Sequence, residues 1–199
     1  MREGRLLAAM ASAAMVLLLS VPSALAANCF TQAPDFQGGT GNDSVTGGAG
    51  ADTFSGGAGS DHLDGAGGSD RLCGEDDGDQ LSGGLIGGAG ADRVAGGNGA
   101  DTLNGSDGDD VVVQGDAGQD TAQGGPDSDV VRGGNNNDTV RGNAGNDLVF
   151  GEGGGDQVEG GDGDDQLFGG GGNDVLDGGA GTDTCDGGSG ADMMMNCEG

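Results

Sequence analysis

The sequence predicts an all-β solenoid of short strands and tight turns, on three observations. From Gly38 the chain repeats every nine residues. Each repeat carries Asp at its sixth place. Each carries an apolar or thiol side chain at its eighth. The first unit is Gly38-Gly39-Thr40-Gly41-Asn42-Asp43-Ser44-Val45-Thr46, and residues 47–55 and 56–64 follow without a gap. The array holds 17 units and ends at Met195. A spacer would not keep carboxylates in one phase and aliphatics in another, so a fixed period of this kind marks a stacked repeat architecture.

Ahead of the array the sequence has a different character. Arg2 and Arg5 form a positive start, residues 6–19 are an apolar run, Pro22 breaks it, and Ala24-Leu25-Ala26 has a small-x-small pattern. This predicts a cleaved secretory signal over residues 1–26. The run falls short of the about 20 apolar residues of a membrane span, so no span is expected after cleavage; a retained anchor is the alternative. Cys29 follows Asn28 rather than a small residue, which argues against lipid modification. Residues 27–37 are expected to be an N-terminal cap segment, residues 38–195 the repeat domain, and residues 196–199 a C-terminal tail.

Composition sets the energetic problem. The chain has 51 Gly among 199 residues, no Trp and no Tyr, and 34 acids against six basic residues, for a formal charge of -28. Without the signal, four Arg face 33 acids and the charge is -29. So few bulky side chains and so much glycine entropy would leave an ordinary chain unfolded. The acidity excludes nucleic acid and anionic membrane as partners, since both require basic patches. It favours a cation.

Within each unit the first six places read as a turn and the last three as a short strand. Glycines permit left-handed backbone and let carbonyl groups converge. The sixth-place carboxylates are Asp43, Asp52, Asp61, Asp70, Asp79, Asp92, Asp101, Asp110, Asp120, Asp129, Asp138, Asp147, Asp156, Asp165, Asp174, Asp183 and Asp192. The eighth-place side chains, expected to point inward, are Val45, Phe54, Leu63, Leu72, Leu81, Val94, Leu103, Val112, Ala122, Val131, Val140, Val149, Val158, Leu167, Leu176, Cys185 and Met194. The register slips twice, by four residues at 83–86 and by one at Gln114, leaving blocks of five, three and nine units. Asp77, Asp127 and Asn136 stand at the fourth place in lieu of Gly, and Asp and Asn tolerate left-handed backbone better than other side chains do.

These units, of form GGxGxDxUx, resemble the RTX (repeats-in-toxin) calcium-binding family, and the resemblance covers essentially the whole chain after the signal. It implies a parallel β-roll. In that fold two units make one 18-residue coil, unit n lies under unit n+2, and Ca²⁺ sits between stacked turns. Calcium takes six to eight hard oxygens at about 2.3–2.6 Å, from carboxylates and peptide carbonyls alike, and one turn offers only part of such a shell. At about 4.8 Å per coil the rod would be about 40 Å long. Pairing n with n+2 inside the three blocks allows roughly 11 sites, and roughly 15 if both slips loop out. The formal charge would then become about -7 or about +1. Coupling of folding to Ca²⁺ is therefore expected.

The four cysteines are an even count in an exported chain, which favours disulfides over free thiols. Cys185 and Cys197 are close in sequence at the end of the array and are expected to bond, folding the tail over the last coil; Cys29 with Cys73 follows by elimination. Met193-Met194-Met195 is expected to join an apolar cap. His62, the only histidine, is expected at the surface. Arg132 and Arg141 share the ninth place of successive units and should lie on opposite sides.

No catalytic residue is expected. There is no HExxH motif and no GxSxG elbow with a histidine partner, and acidic pairs such as Asp109-Asp110 and Asp164-Asp165 read as turn residues. In larger RTX proteins the repeat follows a catalytic or pore-forming domain, for which residues 27–37 give no room. The chain is expected to be extracellular, free or at the cell surface, binding calcium in a structural or surface-interaction role with a cell-surface or matrix partner. The alternatives are an ice- or surface-adhesive rod, and the repeat module of a toxin or hydrolase system. Seventh-place Thr occurs only at Thr53, Thr102, Thr121, Thr139 and Thr184, which is too irregular for an ice-binding ladder.

Overall fold

Two parallel sheets of nine strands each face one another in the computed structural model, whose described residues are 34–82, 90–110 and 112–198. One sheet carries the odd strands, from β1 (Phe36–Gln37) through β3 (Thr53–Ala58) and β5 (Arg71–Asp76) to β17 (Thr184–Ser189); the other carries the even strands, from β2 (Ser44–Thr46) to β18 (Met193–Met195). The chain crosses to the opposite sheet at every turn, so each unit pairs with the one two places on. Val149 stands opposite Val131 and Leu167, 18 residues away in either direction. This is the β-solenoid that the nine-residue period predicts.

Twelve of the 18 described strands are six residues long rather than the three expected, and five are three. β11 (Val130–Asn135) runs from the seventh place of one unit through the third of the next, and its pairing continues over Gly134–Glu152 and Asn135–Gly153. Stacked coils share one backbone path, so their peptide groups stay in register past the apolar residues that begin the strand. The tight turn is confined to the places between.

Both register slips leave the stack continuous. Arg71 pairs with Arg93, 22 residues on, so the four extra residues add no coil. Their own arrangement, at 83–86, lies outside the described residues. The second slip is displaced from its expected position. Val112 stands opposite Arg93, Val113 opposite Val94 and Gln114 opposite Ala95, so the extra residue precedes Val112 and Gln114 is an ordinary ninth-place residue. Val113, not Val112, enters the core.

The core is a single file of side chains between the sheets: Phe54, Leu63, Leu72, Val94, Leu103, Val113, Ala122, Val131, Val140, Val149, Val158, Leu167 and Leu176 are all buried. The side chain of Leu81 lies outside the described set. Each buried aliphatic contributes about 1.5–3 kcal/mol, a small total for a chain with this much glycine.

The two ends differ. Phe36 forms an additional strand, β1, pairs with Phe54 in backbone register and meets its ring edge-to-face at 6.4 Å. At the other end Met193, Met194 and Met195 are exposed, at 58%, 52% and 41%. The expected apolar cap does not form there, because β18 is the end strand of its sheet and among the described residues no further strand pairs with it beyond β16 (Val175–Ala180). Cys185 and Cys197 form a disulfide, as expected. Cys73 is buried and disulfide-bonded; its expected partner Cys29, with residues 1–33, lies outside the described residues. Arg132 and Arg141 lie on different sheets and pair with Glu152 and Glu159.

Candidate functional site

The sixth-place carboxylates form two files, one along each edge of the solenoid. From Asp61 on, each is tied to the coil before it. The backbone N–H of Asp120 donates to Oδ1 of Asp138 at 2.8 Å, that of Asp138 to Asp156, and that of Asp156 to Asp174. The same bond joins Asp43 to Asp61, Asp52 to Asp70, Asp61 to Asp79, Asp70 to Asp92, Asp79 to Asp101 and Asp92 to Asp110. It joins Asp101 to Asp120, Asp110 to Asp129, Asp129 to Asp147, Asp147 to Asp165, Asp165 to Asp183 and Asp174 to Asp192. All 17 predicted aspartates therefore enter one system, and the bond crosses both register slips.

The second carboxylate oxygen has no such partner. Oδ2 of Asp61, Asp70, Asp79, Asp101, Asp110, Asp120, Asp129, Asp138, Asp147, Asp156, Asp165, Asp174 and Asp183 is buried and accepts no hydrogen bond. Buried polar atoms are almost always paired, and a buried charge without a partner is costly. Asp43 and Asp52, which have no repeat beneath them, behave differently: their Oδ2 accepts from the N–H of Gly39 and Gly48.

First-place glycines shape the space in front of that bare oxygen. A Cβ placed on Gly169 would lie 2.6 Å from Asp174 Oδ2 and 2.7 Å from the carbonyl oxygen of Gly187, one coil on; on Gly133 it would lie 2.7 Å from Asp138 Oδ2 and 2.9 Å from the Gly151 carbonyl. These glycines do not have positive φ. Their invariance is steric: a side chain would fill a cradle lined by a carboxylate oxygen and a peptide carbonyl. That separation suits the oxygen shell of a hard cation.

Left-handed backbone is needed instead at the second and fourth places. Asp77, Asp127 and Asn136 adopt it at the fourth place, as the sequence suggested, with φ of 75°, 80° and 80°. The second-place requirement was not foreseen. Ala66, Glu75, Ser106, Asp116, Asn143 and Glu152 all take it, with φ between 67° and 87°. Glycine at the second place in 11 of the 17 units is the signal for it, and the six other residues there, of five types, obscure that signal. Among the described residues no three or more His, Cys, Asp or Glu side chains gather into a metal cluster, so a cation here would draw on carbonyls as well as carboxylates. His62 is exposed, as expected.

Burial raises the affinity of twelve of these carboxylates for protons. Loss of hydration is the largest cause, opposed by the backbone hydrogen bond; charges of neighbouring aspartates add to the rise at most of these positions. Asp79, Asp110 and Asp138 are pushed up to about 7, Asp129 to about 8, and Asp70, Asp101, Asp147 and Asp156 to about 6. Asp61, Asp92, Asp120 and Asp165 move the same way. Files of carboxylates held this way call for positive charge at Oδ2: a proton each, or shared cations.

The family model described as RTX calcium-binding nonapeptide repeat (4 copies) matches the chain over residues 37–72, 46–81, 86–121, 112–140, 123–158, 132–167 and 159–194. No curated protein matches it.

Proposed function

The chain belongs to the RTX calcium-binding nonapeptide repeat family, and from that premise we propose that it is an exported, non-catalytic rod whose fold is completed by Ca²⁺ between successive turns. RTX repeats form calcium-binding β-rolls, and the all-strand parallel solenoid is of that kind. The observation that carries the finer reading is the file of buried Oδ2 atoms with no partner. Most face a cradle bounded by a first-place glycine and the carbonyl one coil on, as at Gly133, Gly151 and Gly169. Calcium supplies a divalent charge and a demand for several oxygen ligands. The sixth-place aspartates from Asp43 to Asp192 are the carboxylate ligands on this reading, and the carbonyls of the turns are the remainder.

The continuous register favours the higher of the two site counts, roughly 15, one for each pair of hydrogen-bonded turns. Roughly that number of ions offsets the charge of the chain without residues 1–26, which removes the self-repulsion of the stack. Binding free energy then acts as folding free energy, with affinities on the order of 10⁻⁴–10⁻³ M, as suits extracellular calcium. Export is supported by the signal pattern of residues 1–26 and by the typical secretion of RTX proteins. Among the described residues no helix is long and apolar enough to cross a membrane. The role is structural or surface-interacting, with a partner at the cell surface or in the matrix.

Circular dichroism of the processed chain, with calcium and with excess chelator, tests the reading. Calcium should convert a disordered chain to a β-rich one. Strong β signal that persists in excess chelator at about pH 8.5, where these carboxylates are ionised, overturns the coupling.

A further inference from the structure

The solenoid has one more carboxylate-lined turn than the repeat pattern provides. Asp183 belongs to the sixteenth unit, and the seventeen units of the array supply none two places on from it. Even so, its Oδ2 is buried without a partner, as in interior turns, and the residue is 1% exposed. Residues 196–198, which do not follow the repeat, lie over it.

They reproduce the interior contacts with different residues. In the preceding turn on the same edge, the N–H of Asp165 donates to Oδ1 of Asp183, and the N–H of Thr184 donates to the carbonyl of Asp165. Over Asp183, its own N–H donates to Oε2 of Glu198 at 2.7 Å, and the N–H of Glu198 donates to the Asp183 carbonyl at 2.8 Å. The Glu198 backbone thus occupies the seventh-place position of a coil. Its side chain reaches back to the sixth-place position, and the additional methylene of Glu relative to Asp makes that reach possible. The cradle is matched too. A Cβ on Gly178 would lie 2.7 Å from Asp183 Oδ2 and would overlap the carbonyl oxygen of Asn196, which stands where a first-place glycine carbonyl stands elsewhere. Asn196 adopts a left-handed φ of 51°, and its amide donates to Asp177 Oδ1. The Cys185–Cys197 disulfide fixes the segment to the coil beneath.

We infer that residues 196–198 complete a further Ca²⁺ site over Asp183, with the Glu198 carboxylate replacing a repeat aspartate and the Asn196 carbonyl replacing a glycine carbonyl. The inference rests on the calcium reading of the repeats. It makes the site dependent on the disulfide, because opening Cys185–Cys197 frees the segment that carries two of its donors.

The test counts Ca²⁺ bound per processed chain, by native mass spectrometry and equilibrium dialysis with calcium alone, in the wild type, in Glu198→Gln and in the Cys185→Ser/Cys197→Ser double variant. Circular dichroism at saturating calcium accompanies each count. Glu198→Gln keeps an oxygen for the Asp183 N–H but loses the charge. Both variants should bind one ion fewer than the wild type, with β signal retained. Glu159→Gln, on the sheet surface, should bind the full number. An unchanged count in Glu198→Gln, or a loss of three or more ions from it, overturns the inference. If the double variant fails to fold, Glu198→Gln alone decides. A wild type that binds no calcium would instead sink the calcium reading itself, so the two failures are distinguishable.

Discussion

Asp120 and Asp138 are joined across one coil by a 2.8 Å bond from the amide of the first to Oδ1 of the second, while Oδ2 of Asp138 is buried and bare. One oxygen of the carboxylate therefore serves the stack, and the other is left for a cation or a proton. Separate substitutions can address the two roles.

Asp138→Asn keeps a carbonyl oxygen for the Asp120 amide but puts a neutral amide in place of the charged carboxylate. In calcium titrations followed by circular dichroism the midpoint should rise, since losing one charge-assisted contact of about 1.5–3 kcal/mol weakens the sites that share Asp138 by about ten-fold or more. Asp109→Asn, at an exposed turn position, should leave the midpoint within error. Equal effects at the two positions would contradict the assignment.

The raised proton affinities give a pH prediction for the chain without metal. Between the ordinary carboxylate range and the folded values of about 6 to 8, the folded state holds more protons than the unfolded one. Stability therefore falls as pH rises through that window, and acid favours the fold. In excess chelator, β signal should grow as pH is lowered from about 8.5 to about 5. In calcium the order reverses, because protons compete for the same oxygens and more metal is needed at the lower pH. A chelated chain whose β content is flat over this range would refute the buried, uncompensated state of these groups.

Gly172 and Gly153 separate two kinds of glycine. Gly172 has a φ of 146°, and a Cβ on it would overlap the carbonyl oxygen of Gly154 in the coil below. Gly172→Ala combines backbone strain of about 1–3 kcal/mol with a clash against backbone, and should lower the urea midpoint markedly in saturating calcium. At Gly153 the nearest atom to a Cβ is 3.7 Å away. Gly153→Ala should change stability by no more than about 0.5 kcal/mol.

Leu167 is fully buried between Val149 and Cys185 in the single-file core. Leu167→Ala should cost about 2–5 kcal/mol, and the loss should be local. Hydrogen exchange should accelerate first in the adjoining strands, since repeat arrays transmit stability mainly to neighbours. Uniform loss of protection along the whole rod would argue against that one-dimensional behaviour.

Much of the fold is a property of the period. Asp in one phase and an apolar side chain in another require a turn and a strand in every nine residues. The rule that n lies on n+2 follows once turns alternate between two edges. These features were readable because each unit repeats the same local signal, and 17 copies outweigh single departures such as Asp127 or Asn136. The extra residue between Asp110 and Val113 was placed too late because three consecutive valines, Val111 to Val113, satisfy the inward place equally well. Only packing against Val94 and Val131 selects Val113.

By itself, then, the sequence determined a repeating all-β chain with one in-phase carboxylate per turn and too little core to stand without compensating charge. Tertiary structure decided everything that depends on which coil lies above or below. It separates Asp43 and Asp52, whose outer oxygens are already bonded, from interior residues such as Asp61 and Asp138, whose Oδ2 is buried and bare. It leaves Met194 exposed although Leu176, one coil earlier at the same phase, is buried. It also brings Glu198 over Asp183. The physical reason is that burial, and hence the demand for a counter-charge, arises between stacked turns rather than within any single nine-residue unit.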